Sequence, residues 1–134
     1  MPHASNVLAA VTSVLATFAL SATAQTPANP AIVGDAERGE QEFEATCAEC
    51  HGAAATAPTL RGVIGRPIAS VASFSGYSDA LKAKSSMKWT KENLNTYLTS
   101  PRDFAPGNLM FREFPDAQMR ADVIAYLETL PPPR

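Results

Sequence analysis

The pentapeptide Cys47-Ala48-Glu49-Cys50-His51 constrains this chain more than any other stretch. Two thiols with two residues between them lie about one helical turn apart, and a histidine follows at once. This is the attachment signature of a covalently bound haem. Both thiols can add to the vinyl groups of one porphyrin, and the adjoining histidine is then held beneath the iron as its proximal ligand. These are the only cysteines of the 134 residues, and the only other histidine, His3, stands at the extreme N-terminus. A porphyrin held this way becomes part of the core, so the chain must fold around it.

Three other chemistries use similar residues. A structural zinc site takes four Cys or His ligands, and a chain processed beyond His3 offers only Cys47, Cys50 and His51. A thioredoxin-like redox pair follows a strand in a βαβ pattern, whereas the residues before Cys47 read as helix. A plain disulfide leaves His51 without a role and closes a strained two-residue loop.

The length predicts one domain, preceded by a segment that is removed. Val7 to Leu20 is an apolar run of signal-peptide length, and Ala22-Thr23-Ala24 fits the small-x-small cleavage pattern. Cleavage there makes residues 1–24 a signal peptide and Gln25 the mature start. Met1 to Asn6 carry no Lys or Arg, which departs from the usual leader. An uncleaved anchor is the alternative, but the run falls short of the roughly 20 apolar residues that span a bilayer. Export suits the chemistry, because haem attachment needs two reduced thiols presented outside the cytoplasm. The expected location is the bacterial periplasm, with no stable membrane insertion after cleavage.

The formal charge is −2, from 11 basic and 13 acidic residues, which argues against nonspecific nucleic-acid binding. Asp35 to Glu49 holds six carboxylates against Arg38 alone, while Lys82, Lys84, Lys88 and Lys91 cluster in one segment. Such runs are ordinarily solvated faces, and partner steering is the second reading.

Residues 25–33 are Pro- and Ala-rich and read as a flexible lead-in. A helix then starts behind Asp35 as N-cap, with Glu37 at the positive end of its dipole. Ala36, Gly39, Phe43 and Cys47 share one apolar face. Glycine inside a helix costs about 1 kcal/mol relative to alanine, so Gly39 implies close approach of another helix. Gly52 to Ser75 reads as a loop that wraps something. Ser78 to Ala83 predicts a short helix. Thr90 caps another running from Lys91 to about Ser100, which Pro101 ends or redirects. A second loop covers Arg102 to Pro115. The last helix starts near Asp116, with Met119, Val123, Tyr126, Leu127 and Leu130 as its apolar stripe, and Pro131-Pro132-Pro133 stops it. No segment reads as a strand.

A His-ligated iron has a second axial face. Methionine is the natural ligand for it, because a soft thioether binds haem iron and raises the reduction potential. Met1 leaves with the leader, Met119 sits on an apolar stripe, and Met87 lies in a Lys-rich stretch. Met110 follows the turn-forming Pro106-Gly107-Asn108-Leu109 and is the best placed of the four.

The chain resembles a class I c-type cytochrome of the mitochondrial-like branch, which includes bacterial periplasmic members. The likeness runs from about Gly34 to Leu130. It is carried by Gly39…Phe43…Cys-x-x-Cys-His, Ala57-Pro58-Thr59-Leu60, Arg61 to Arg66, and Phe74…Tyr77-Ser78-Asp79-Ala80. Trp89, Leu94…Tyr97-Leu98, Pro101, Pro106-Gly107-x-x-Met110 and Asp122 to Leu127 continue it in the same order. The resemblance implies an all-α fold over residues 34–134. Three main helices, short helices and long loops wrap one covalent haem c, bound through Cys47 and Cys50.

The same resemblance implies His51 and Met110 as axial ligands. It has the Pro58 carbonyl accepting from His51, Tyr97 donating to the Met110 sulfur, and Tyr77 and Trp89 satisfying the propionates with Arg66 nearby. It places Phe43 and Tyr126 where the first and last helices cross at Gly39. Two positions depart from the lysine-ringed mitochondrial members, Thr46 and Leu109. The stretch Phe111-Arg112-Glu113-Phe114-Pro115 also replaces a glycine-containing loop and is one residue shorter.

The function expected is a soluble, monomeric one-electron carrier, not an enzyme, exchanging electrons transiently with redox proteins. One alternative is a dedicated haem c subunit of one periplasmic dehydrogenase. A lesser one is an open-iron peroxidase or gas-binding haem protein.

Overall fold

Four polar side chains start the helices as the sequence predicts. In a computed structural model that describes residue 1, residues 31–53 and residues 56–133, Asp35 is extended and accepts from the backbone N–H groups of Glu37 and Arg38. These are two of the donors that a helix start leaves orphaned. Helix α1 then spans Ala36–Thr46. The leader and most of the lead-in lie outside the described residues.

The helix whose apolar face was expected to include Cys47 ends one residue before it, with Cys47 as its C-cap. The Thr46 hydroxyl donates to the Glu42 carbonyl at 2.6 Å, a back-bond of the kind that bends helix ends. A short α2, Ala48–His51, begins after Cys47. Its Cys50 and His51 N–H groups both return to the Cys47 carbonyl, at 3.1 and 2.9 Å, which winds the pentapeptide into a single turn.

Ser78 caps α3 (Asp79–Lys82) through the Leu81 N–H, and Thr90 caps α4 (Lys91–Thr99) through the Asn93 N–H. Pro101 then begins a further helix, α5 (Pro101–Phe104). Its missing N–H costs nothing at a first helical position. The loop predicted over Arg102–Pro115 is therefore shorter than the sequence implies. Asp116 caps α6, Ala117–Thr129, through the Met119 N–H.

No strand forms among the described residues; there is one isolated bridge, Pro67 to Lys88. Around it Gly65 N–H donates to the Trp89 carbonyl at 2.9 Å, Trp89 N–H to Arg66 at 2.9 Å, and Ile68 N–H to Met87 at 3.0 Å. These bonds pin the long loop after α2 beside Trp89. The loop also supplies Val63 and Ile68, among the most deeply buried side chains of the molecule.

Helices α1 and α6 form the largest helix–helix contact. A Cβ on Gly39 would collide with the Asp122 carbonyl, so the close approach inferred from that glycine is present. Phe43 and Tyr126 meet beside it, ring centroids 5.3 Å apart. Helix α6 buries Val123 and Leu127 of the predicted stripe, and Ile124 and Asp122 as well.

Asp122 is 4 % exposed. It accepts from Asp35 N–H at 2.7 Å, Arg38 Nε at 2.9 Å and Gln118 Nε2 at 2.9 Å. A buried carboxylate is tolerated when paired and bonded in this way. Chiefly through the Arg38 hydrogen bond, its pKa is held down at about 2.

Candidate functional site

Helix α2 ends on His51, and what holds its ring is backbone. His51 Nδ1 lies 2.8 Å from the Pro58 carbonyl. A carbonyl only accepts, so Nδ1 carries the proton and Nε2 keeps its lone pair. Burial lowers the His51 pKa, with the Pro58 bond opposing it. The ring is therefore neutral at pH 7, the form that ligates a metal. Cys47 and Cys50 are both free thiols. Burial raises the Cys47 pKa.

Cys47, Cys50, His51, Pro58, Arg66, Tyr77, Trp89, Tyr97 and Met110 come from the α1–α2 junction, two helices (α2 and α4) and three loops, yet all line one cavity of about 410 Å³. This falls within the roughly 300–1,000 Å³ of small-molecule and cofactor pockets. Leu60, Val63, Leu94, Leu98, Val123 and Leu127 supply apolar wall. Met87 and Met119 are not among the lining residues; among the described methionines only Met110 is.

Arg66 lines the cavity in an unusual state. Its Nη1 donates to the Arg61 carbonyl at 2.9 Å and its Nη2 to the Thr59 carbonyl at 2.8 Å, but its Nε is buried without a hydrogen-bond partner. Burial lowers its pKa. A guanidinium left short of an acceptor beside an apolar cavity fits an anionic group at that end. Tyr77 stands near it. Its oxygen accepts from Val71 N–H at 3.3 Å, which leaves the phenolic proton for another acceptor.

The tyrosine expected at the axial sulfur bonds elsewhere. Tyr97 donates to Asn108 Oδ1 at 3.3 Å, not to the Met110 sulfur. An amide oxygen is a far better acceptor than a thioether, and Asn108 is buried within reach. Burial pushes the Tyr97 pKa up to about 12, so its proton stays on. Tyr97 packs with Trp89 and Phe104, at centroid distances of 5.0 and 5.5 Å. Asn108 lines the cavity and was overlooked in the sequence reading, as was the packing of Phe104 behind it. The Pro-Gly-Asn turn held the signal for Asn108, since asparagine bonds readily to backbone two residues on.

Free thiols one turn apart, an imidazole with its lone pair unused, a methionine on the same cavity and an orphaned cationic nitrogen together fit a haem. The family model for cytochrome c matches residues 36–131.

The chain belongs to the cytochrome c family.

Cytochromes c carry one covalent haem c and are electron-transfer proteins, not enzymes. This chain is 49 % identical over 104 residues to the cytochrome c-type protein cyt cy of Rhodobacter capsulatus. The match takes in 75 % of this chain and 51 % of that relative, so the chain spans about half its length. Cytochrome c 2.1 of Caenorhabditis elegans is 43 % identical over 100 residues, 71 % of this chain and 88 % of the worm protein. The solved structure of cytochrome cH from Methylobacterium extorquens matches at a TM-score of 0.63 and 38 % identity, covering 72 % of this chain and 99 % of that one.

Proposed function

We propose that this cytochrome c is an exported one-electron carrier whose haem is attached through Cys47 and Cys50 and ligated by His51 and Met110. The observation that carries the reading is the meeting of these four residues on one cavity. When bound, the haem supplies an Fe(III)/Fe(II) couple, which thioether ligation shifts toward the reduced form. The Pro58 carbonyl fixes the tautomer and plane of the His51 ring, as outer-shell partners of metal ligands do. Arg66, with Tyr77 and Trp89, would hold the propionates. With His51 and Met110 both holding the iron, no substrate would reach it.

Val7 to Leu20 and the Ala22-Thr23-Ala24 site support export to the periplasm. Among the described residues no helix is long and apolar enough to cross a membrane. Partners would meet the chain at the cavity rim, through a small transient interface.

A redox titration with optical spectra of the mature protein tests the ligand set. The expected result is a Met–iron charge-transfer band in the wild type. Met110→Ala is expected to lose that band, fall in potential and bind carbon monoxide rapidly in the ferrous state. A Met110→Ala protein with an unchanged potential and band would overturn the assignment.

A second reading, the dedicated haem subunit of one dehydrogenase, draws on the rim itself. Leu109 and Phe111 are 75 % and 72 % exposed there, where the basic relatives dock acidic partners. A single oxidoreductase co-purifying at every salt concentration would favour it over the free carrier.

A further inference from the structure

The turn that carries Met110 is organised by one side chain. Asn108 is 6 % exposed, and its amide is fully used. Nδ2 donates to the Pro101 and Ala105 carbonyls, each at 2.7 Å. Oδ1 accepts from the Met110 N–H at 2.8 Å and from the Tyr97 hydroxyl at 3.3 Å. Two donors and two lone pairs are the whole inventory of an asparagine side chain. One residue therefore ties both ends of α5, the inner face of α4 and the backbone of Met110 together.

The far side of the turn is anchored separately. Phe114 N–H donates to the Leu98 carbonyl at 2.9 Å, and Arg120 Nη1 donates to the Phe114 carbonyl at 2.7 Å. Between these anchors Leu109, Phe111, Arg112 and Glu113 are all exposed, so Met110 has little packing from its neighbours in sequence. The nearest restraint on it is the Asn108 bond.

We infer that Asn108 is a positioning residue for the axial methionine. It fixes the Met110 backbone beside the cavity, and the same Oδ1 accepts from the Tyr97 hydroxyl. The inference rests on Met110 being the iron ligand. Removing a group that orients a metal ligand typically weakens metal binding by roughly 10–100-fold. Here the loosened bond is the one from iron to sulfur.

The test compares haem-loaded wild type, Met110→Ala, Asn108→Ala and Asn108→Thr. Three readouts are taken: the Met–iron charge-transfer band, the rate of carbon monoxide binding to the ferrous protein, and the unfolding midpoint. Asn108→Ala is expected to weaken the band and to speed carbon monoxide binding by roughly 10-fold or more. A threonine hydroxyl can accept from an N–H two residues on, so Asn108→Thr is expected to restore most of both. It cannot replace the bonds to Pro101 and Ala105, and its unfolding midpoint should stay low.

A wild-type band and rate in Asn108→Ala, with only the midpoint lowered, would reduce Asn108 to a structural residue and overturn the inference. If Met110→Ala keeps the band, the ligand assignment falls and the inference falls with it. Should Asn108→Ala fail to load haem, amide exchange in the wild type decides. A Met110 N–H as slow as those within α4 upholds the restraint, and exchange at the unprotected rate refutes it.

Discussion

His51 shows how little of a residue's chemistry lies in the residue itself. Its ring has two nitrogens, and the Pro58 carbonyl 2.8 Å away decides which one carries the proton. His51→Ala is expected to prevent stable holoprotein formation; purification of a normally folded, haem-loaded variant would contradict this. Gly39 is the second case. The cost of a glycine inside a helix announced a close approach, and the Asp122 carbonyl of α6 is what approaches. Gly39→Ala sets a methyl group against backbone that cannot rotate away. It should lower stability by about 2–3 kcal/mol in denaturant unfolding, and a loss under half a kcal/mol would mean that the helices separate freely. Gly107 has a positive φ of 77°. It turns the chain just before Asn108 in a conformation that side-chain-bearing residues rarely adopt.

At the scale of elements, the helix starts were legible, two of them as caps at Asp35 and Thr90, because capping is local. Asp35, Ser78, Thr90 and Asp116 each reach an N–H two or three residues on. Thr90→Ala should cost about 1 kcal/mol, read as a shift in the denaturant midpoint without a change in the oxidised spectrum. Two equally local features escaped because the residues behind them permit either outcome. The break at Cys47 and the extra helix at Pro101 turn on a Thr46 back-bond and on a proline that fits either side of a helix boundary.

Asp122 joins α1 to α6, and its effect on the pair should depend on pH. Its carboxyl titrates at about 2 in the fold, below its ordinary 3.8. The folded state therefore favours the ionised form. The stabilisation is fully present above the ordinary value and is lost as pH falls from about 4 toward 2. Asp122→Asn should flatten that part of the stability profile. It should also cost about 2 kcal/mol at neutral pH, below the usual 3–5 kcal/mol for a broken buried pair, because the Arg38 side chain is 55 % exposed. Urea unfolding from pH 2 to 7 reads both effects, and a variant with the wild-type slope would show that another carboxylate governs acid unfolding.

The whole molecule is assembled around the cavity. A domain this small buries only a modest core of its own, and here that core borders a space of about 410 Å³. Leu60, Leu94, Leu98, Val123 and Leu127 line this space. Without haem they face water or collapse. The double variant Cys47→Ala/Cys50→Ala, expressed without attachment, should lose most of its helical circular dichroism and its cooperative melting. A native-like melt for that apoprotein would show that the polypeptide core suffices. The charge pattern belongs to this scale as well. The Lys-rich segment is partly absorbed internally, since Lys82 pairs with Asp79, Lys91 with Glu128, and Lys84 lies over the Phe104 ring. The ring of lysines expected of mitochondrial relatives is correspondingly weak as an account of docking.

By itself the sequence determined the chemistry: a covalent haem, and helices whose starts and apolar stripes follow from spacing and capping. These are local properties, set by residues within a turn or two of each other. Only the tertiary structure decided what surrounds Met110. Tyr97 and Met110 lie on separate segments, and whether the hydroxyl meets the sulfur depends on how α4, α5 and the turn pack. The buried amide of Asn108 stands within reach and is the stronger acceptor, so it takes the bond. Hydrogen bonds between distant segments are settled by competition among acceptors that the fold brings together, and no spacing along the chain records which one wins.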